Sequence, residues 1–403
     1  MTKKRILVLG SYPINNPQHG GQKRADAIVR SYKRNFTDVR YSAIFYKHYY
    51  GDYGHYDISV SRVTADKINK IPDFSDIYCG EAVYSDPVVK RKVKKLIKDF
   101  NPDVIHVEQP YVYLGLRLLL KEIKNASKII FGSQNIEYMM KKDIFEGISI
   151  GENDTDWAIN KIRELETNFS KECDLLVAVS EEDAAAHAKL GADNIVVAPN
   201  GVSVPNKPVL DQFRSSMKKE GPYIVKKSIL FIGSAHPPNW LGFEKMVTKK
   251  LGFLPVDTRI YIVGGVSEYF IRVISARSIE DVTFWQRAIA CGRVSERKLS
   301  KLLQDADLII LPITEGGGSN LKTAEAFVAN KKIVATSYAL RSYDYLLDIP
   351  NLYIADTTKD FQQAILTALD TKFIERSDKD IKIISKVLWD NCLKDLISGV
   401  AVL

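Results

Sequence analysis

At 403 residues, with 45% hydrophobic and 26% charged residues, the chain is long enough for two cores and too apolar to be disordered. No stretch approaches the ~18 unbroken apolar residues of a membrane span, and Cys79, Cys173, Cys291 and Cys392 show neither metal-ligand spacing nor a paired framework, which suits a reducing cytoplasm. The formal charge of +8 is uneven, with ten Lys/Arg against two Asp/Glu in the first fifty residues and four against eleven over 151–200, so the N-terminal part suits anionic partners.

The chain opens on a short apolar run, Ile6–Leu9, halted by Gly10 and Pro13, which reads as a first strand (Arg5–Gly10) rather than an export signal. Further strands are expected at Val39–Phe45, Val104–Val107, Lys128–Phe131, Leu175–Val179 and Ile195–Ala198, with helices at Gln22–Lys33, Val88–Phe100, Trp157–Lys171 and Glu181–Lys189. The strands are Ile/Val/Leu runs without polar alternation, as parallel strands covered by helices on both faces require. Helix Val88–Phe100 sets Val89, Val93, Leu96, Ile97 and Phe100 on one stripe opposite lysines; packing on a sheet with a solvated basic face and lying on a membrane surface both fit. Polar residues gather where strands end. Gly20 and Gly21 open a helix with Arg24 one turn inside, His106 reads as a core histidine, and Glu108, Gln134, Asn135 and Glu137 are ligand candidates. The tyrosine-rich Tyr46–Tyr56 is an ordinary loop or an acceptor platform.

A break at about 200–227, carrying Asn200-Gly201, Pro205, Pro208 and the charged DQFRSSMKKEGP, divides the chain into domains at 1–205 and 206–385, with 386–403 as a C-terminal helix packing back on the first. Strands resume at Ser228–Ile232, Arg259–Val263, Val282–Trp285, Leu308–Leu311, Ile333–Ala335 and Leu352–Ile354, and Glu296–Gln304 reads as a helix. The expected class is α/β, two doubly wound parallel sheets binding ligand in a cleft at their carboxyl ends. After Leu311 come Gly316, Gly317 and Gly318, then a helix opening Ser319-Asn320-Leu321-Lys322 and carrying Glu325. Glycines admit close backbone approach, and free amides with the helix dipole favour an anion. Lys322 does not help a first turn electrostatically, so its place there makes sense beside an anion. Glu325 suits a sugar or ribose hydroxyl. The plain alternative is a βα turn with glycines for tightness.

Metal ligation finds little support: Asp154-Thr155-Asp156 reads as a polar loop, and Asp305-Ala306-Asp307 precedes its strand. Neither a G-x-S-x-G elbow nor a Walker sequence occurs.

The segment GGGSNLKTAEAFVANKKIVAT resembles the donor-binding motif of retaining GT-B glycosyltransferases of the glycosyl transferases group 1 family. DVIHVEQPY, SQNIEY, CDLLVAVSEED, VVAPNGV, FIGSAHPPNW and ADLIILP resemble further family segments, in the family's order. The resemblance implies a cytoplasmic or peripherally membrane-bound, metal-independent enzyme that moves a sugar from a nucleotide diphosphate sugar to a glycan or lipid-linked saccharide. It implies no cofactor and no nucleic-acid partner. The amides of Ser319, Asn320 and Leu321, with Lys322, would hold the diphosphate, and Glu325 the ribose. Gly233 and Ser234 would line the phosphate side, and Gly292, Arg293 and Val294 the base. Gly20 and Gly21 would also touch the donor, Glu108 and Gln134 the reacting sugar, and Arg24, Asn135 and Glu137 the acceptor. There are departures. The first motif glutamate falls on Gly317, leaving Glu315 as the nearest acid; His236-Pro237-Pro238-Asn239 stands where a cationic pair is frequent; and Gln134 replaces a frequent histidine. A nucleotide-sugar 2-epimerase and a non-catalytic nucleotide- or glycan-binding partner are the rival readings.

Overall fold

The computed structural model describes residues 2–17, 19–46, 50, 53–60, 75–146, 152–204, 225–274, 278–316 and 320–403, which form two compact units, 1–200 with 389–403, and 201–388. The DQFRSSMKKEGP stretch, residues 47–49, 51 and 52 of Tyr46–Tyr56, and Gly317, Gly318 and Ser319 lie outside the described residues.

The first unit runs β1 (Thr2–Gly10), α1 (Gly20–Asn35), β2 (Phe36–Tyr46), β3 (Ile58–Val60), α2 (Ser75–Ser85), α3 (Pro87–Phe100) and β4 (Val104–Glu108). It continues α4 (Tyr113–Glu122), β5 (Lys128–Gly132), α5 (Glu137–Glu146), α6 (Glu152–Glu172), β6 (Leu175–Ala178), α7 (Glu181–Leu190) and β7 (Ile195–Val197). The strands make one parallel sheet ordered β3-β2-β1-β4-β5-β6-β7, with Ile6 opposite Val104 and Leu9 opposite Val107. Strand order reverses between β1 and β4, the place where open α/β sheets bind ligands. Every residue of β4 is buried, its polar His106 and Glu108 included. Helix α3 starts at Asp86, whose carboxylate caps Val88 and Val89, with Pro87 in the first turn; Val89, Val93, Ile97 and Phe100 are buried and Leu96 packs at the edge. Its lysines Lys90 and Lys94 reach Glu122 at 2.5 and 3.0 Å.

The second unit runs β8 (Lys227–Ile232), α8 (Pro237–Met246), β9 (Thr258–Val263), α9 (Val266–Val273), α10 (Ile279–Arg287), β10 (Ala288–Gly292), α11 (Glu296–Asp305) and β11 (Leu308–Leu311). Then come α12 (Leu321–Val328), β12 (Lys332–Ala335), β13 (Leu352–Ile354), α13 (Thr358–Asp370) and α14 (Asp378–Ile384). Its parallel sheet is ordered β10-β9-β8-β11-β12-β13, with the reversal between β8 and β11. Apolar residues on both faces fill separate cores, around Phe243, Phe270 and Phe284 on one side and Leu302, Phe327 and Leu340 on the other.

The chain then rejoins the first unit through α15 (Trp389–Cys392) and α16 (Lys394–Val402), burying Leu393, Leu396 and Val400 against the β1 and β6 side of its core. Lys4 ties the end of α16 by donating to the carbonyl of Val400 at 2.8 Å.

Two expectations need correction, and one strand went unforeseen. Val282–Trp285 is helix, not strand: Ser278 caps α10 through Asp281, Glu280 and Asp281 favour its positive end, and the edge strand follows at Ala288. Asp154–Asp156 belongs to α6 rather than to a loop. The three-residue β3 was too short to leave a periodic signal.

Candidate functional site

In the second unit the segments after β8 and β11 carry seven of the residues expected to meet a donor: Gly233, Ser234, Gly316, Asn320, Leu321, Lys322 and Glu325. Pro312 follows β11, and at Gly316 the backbone takes φ 107°, where a side chain is strained. The Gly316 carbonyl is fixed by two donors, the Tyr338 hydroxyl at 2.5 Å and Arg341 Nη2 at 3.2 Å. Asn320, at φ 45°, precedes α12, but its amide nitrogen turns away to Thr323 Oγ1 and the Ala339 carbonyl, each at 2.9 Å. The first amides of α12 therefore have no side-chain cap, the condition for an anion site at a helix N-terminus. Lys322 is half-buried and donates to Asn239 Oδ1; desolvation pushes its pKa down to about 8 against the opposing pull of Glu325. Glu325 is half-buried one turn along, Leu321 packs at the core edge, and Glu315 is exposed.

Gly233 follows β8, and a Cβ there would press on Val266 at 2.9 Å. Ser234 is exposed; its carbonyl and hydroxyl accept from Asn239 Nδ2 at 3.0 and 3.1 Å. Beyond β10, Arg293 is exposed and 3.5 Å from Glu268, while Val294 packs against the core. The sequence reading missed Tyr338 and Arg341, and it named Asn239 only as part of the segment standing where a cationic pair is frequent, without a role.

In the first unit Gly21, the second residue of α1, lies beside Gln134 Oε1 and the Tyr12 hydroxyl, each 2.6 Å from where its Cβ would lie. Gly20 is open to solvent. Gln134 Nε2 donates to Tyr12 Oη at 2.5 Å and Glu108 Oε2 at 2.7 Å; Glu108 Oε1 stands 2.9 Å from His106 Nε2, and His106 Nδ1 bonds Tyr32 Oη at 2.7 Å. Burial alone would raise the Glu108 pKa, but His106, Arg24 and Gln134 together hold it below the usual carboxylate range. Burial and Glu108 push the Tyr12 and Tyr32 hydroxyls well up. Gly132 is required here, since a Cβ would fall 2.3 Å from His106 Nε2.

Three of the residues assigned to acceptor or sugar lie in the interior. Arg24 is 1% exposed and donates to the Ala198 carbonyl at 2.8 Å and Asn200 Oδ1 at 3.2 Å, so it ties α1 to the end of the unit. Glu137 is equally interior and accepts from the Tyr111 hydroxyl at 2.7 Å, while Glu166 caps the amides of Glu137 and Tyr138 at 2.8 and 2.9 Å. Glu108, fully buried, holds Gln134. Asn135 stays half-buried, its carbonyl accepting from Ser133. His106 is the core histidine expected. Among the described residues no three His, Cys, Asp or Glu side chains converge as metal ligands, and no helix is long and apolar enough to cross a membrane.

Family models match residues 77–204 as "Glycosyltransferase Family 4" and 226–371 as "Glycosyl transferases group 1". Comparison with curated proteins finds no match. Among solved structures, sucrose-phosphate synthase from Thermosynechococcus elongatus is similar at 11% identity and TM-score 0.64, over 98% of this chain and 97% of that one. Anabaena HepE in complex with UDP is similar at 12% and 0.62 (99% and 100%), and a Rickettsia africae glycosyltransferase at 15% and 0.63 (98% and 97%). At such identities the likeness is one of fold, the GT-B pair of Rossmann-like domains.

Proposed function

From the premise that the chain belongs to the glycosyl transferases group 1 family, we propose that it is a retaining, metal-independent hexosyltransferase. It moves a sugar from a nucleotide diphosphate donor to a glycan or lipid-linked saccharide. The observation that carries this reading is the uncapped start of α12 at the sheet's switch point, with Lys322 in its first turn and Glu325 one turn behind. Amides and ammonium suit the diphosphate, and the Glu325 carboxylate suits the ribose hydroxyls. Gly233, Ser234, Arg293 and Val294 are assigned to the phosphate and base side, and Glu315 to the sugar hydroxyls. In the first unit, Gly20, Gly21, Gln134 and Asn135 are the residues assigned to sugar binding.

In the proposed step the bond from the sugar's anomeric carbon to the diphosphate oxygen breaks, and its electron pair leaves with the diphosphate. The acceptor oxygen attacks from the same face, and its proton passes to the departing diphosphate. The protein's work is then to stabilise charge growing on the leaving group, which preorganised amides and a fixed cation do without reorganising. Gln134 has no proton to relay, so it serves as a hydrogen-bonding group only.

HepE is recorded with UDP-glucose, which makes uridine donors the first to try. A panel of nucleotide sugars is incubated with and without lipid-linked or oligosaccharide acceptors, and with and without chelator, while free nucleoside diphosphate and the product's anomeric configuration are followed by NMR. We expect acceptor-dependent diphosphate release, retained configuration and indifference to chelator. Sugar conversion without acceptor would make the protein an epimerase, and binding without turnover would make it a non-catalytic partner.

A further inference from the structure

We propose that Asn239 is a positioning residue for Lys322, set in place by the Pro237–Gly242 segment, which replaces the cationic pair with a neutral clamp on a single lysine. This deepens the glycosyltransferase reading above and rests on it. Asn239 is 6% exposed and lies in the first turn of α8, after Pro237 and Pro238. Prolines fit there because the first helical amides have no partner to lose. Both hydrogens of Asn239 Nδ2 are committed to Ser234, at its carbonyl (3.0 Å) and its hydroxyl (3.1 Å). That fixes the flip of the amide. Oδ1 faces the Lys322 ammonium and accepts from it, whereas the opposite flip would set donors against a donor.

The helix bearing Asn239 is itself pinned to the end of β11. A Cβ on Gly242 would lie 2.0 Å from the Pro312 carbonyl oxygen, so only glycine allows α8 to run this close. One turn earlier, the Pro238 ring stands 3.1 Å from where a Cβ on Gly316 would be. Asn239 and Gly242 are three apart and share a helix face. The spacing P-P-N-x-x-G thus ties the β8 end, the β11 end and the first turn of α12 into one block, and Lys322 hangs from it.

The chemistry explains why the clamp is an amide. Desolvation drives Lys322 towards its neutral form, Glu325 on the same helix opposes this, and α8 presents a neutral oxygen. A hydrogen bond to the charged form favours it. A carboxylate in that place would also do so, but would cancel the charge an anionic diphosphate needs.

The test uses the full chain and two readouts. The first is an NMR titration of Lys322 through its 13C-labelled ε-methylene in ligand-free protein, assigned with Lys322→Met. We expect Asn239→Ala to lower the Lys322 pKa by about one unit and the isosteric Asn239→Asp to raise it by about as much. The second is steady-state transfer. Asn239→Ala is expected to lower kcat roughly 10- to 100-fold with KM changed less than about threefold, in line with losing an interaction realised in the transition state. Its alkaline limb should move to lower pH, and that of the slowed Asn239→Asp to higher pH. In a Lys322→Met background Asn239→Ala should change nothing further. An unmoved Lys322 titration in both variants, or an equal loss from Asn239→Ala with and without Lys322, would overturn the proposal. If the titration shifts as expected but no donor is ever turned over, the clamp stands and the transferase reading falls.

Discussion

The two units share a topology yet spend their polar residues differently. Among the described residues the first unit buries Arg24, Glu108, Glu137, Lys141 and Glu166, besides His106 and His187, whereas Arg259 is the one charged side chain buried in the second. The second has an uncapped helix start at its switch point, with the half-buried ammonium of Lys322 in the first turn. The first holds Gln134 through a chain of interior groups from Tyr12 to Tyr32. Interior charges are costly to desolvate, and removing one partner strands the rest. A side-chain network therefore fixes orientation at the expense of stability, whereas a helix terminus presents donors the fold has already aligned.

The largest effect should come from stranding that network. Glu108→Ala takes away the interior carboxylate that faces His106 Nε2, accepts from Gln134 and balances Arg24, and we expect the first unit to lose about 3–5 kcal/mol. Hydrogen exchange at β1, β4 and β5 reads this directly, with β8–β13 unchanged. A loss below about 1 kcal/mol would mean the carboxylate contributes shape alone.

On the second unit the matching change, Lys322→Ala, should act on turnover rather than folding. Loss of one preorganised donor costs about 3–4 kcal/mol of transition-state stabilisation, a fall of roughly two to three orders of magnitude in kcat. Removing a desolvated ammonium leaves stability unchanged or slightly raised. Near wild-type transfer by both Lys322→Ala and Glu325→Ala would end the assignment of this helix start to the donor.

That asymmetry also governs what the sequence disclosed. Apolar runs such as Leu308–Leu311 located the buried strands because burial on both faces leaves no other composition open to them. The run Val282–Trp285 misled because four β-branched and aromatic residues are too few to show a period, and the signal that decides it, Ser278 with Glu280 and Asp281, lies upstream. The glycine corner and Lys322 were legible because they adjoin in sequence. The partners of Lys322 and Gly316 were not: Asn239 is 83 positions from Lys322, and Arg341 is 25 from Gly316. Burial of Arg24 and Glu137 was equally hidden, since a charged residue at a strand end or in a first helical turn reads the same whether it faces solvent or core.

Close packing gives a smaller, paired test. Gly132→Ala presses a methyl on side-chain atoms, His106 Nε2 and Glu108 Oε1, while Gly242→Ala presses one on the Pro312 backbone oxygen. Overpacking typically costs about 1–3 kcal/mol, and we expect both variants to unfold within that range below wild type. Gly252, with nothing within 4 Å of its Cβ position, is the neutral control. Gly242→Ala should also slow transfer, because moving α8 moves Asn239. If instead Gly132→Ala proves harmless, the His106–Glu108 contact is looser than its 2.9 Å separation implies.

The smallest effect is an acid slope confined to the first unit. His187 on α7 is fully buried between Ser133 and Ser170, with Nε2 2.8 Å from the Ser133 oxygen and Nδ1 3.0 Å from the Ser170 oxygen. Ser133 gives its own proton to the Asn135 carbonyl, so it accepts from Nε2–H, and Nδ1 accepts from Ser170. The ring is thus neutral, and a second proton would face a donor. Desolvation accordingly lowers its pKa from 6.5 to about 4. The unfolded chain takes up the proton first, so stability that is complete above pH 6.5 drains away as pH falls towards 4, by roughly 1 kcal/mol per pH unit. Raised carboxyls such as Glu166, at about 8, push the other way over part of this range, so the informative quantity is wild type minus His187→Gln at each pH. That difference should shrink steadily with acid and level off near pH 4. Because His187 steadies Ser133 and hence the loop carrying Gln134, a flat difference curve would free that loop from any role for this histidine's neutral form.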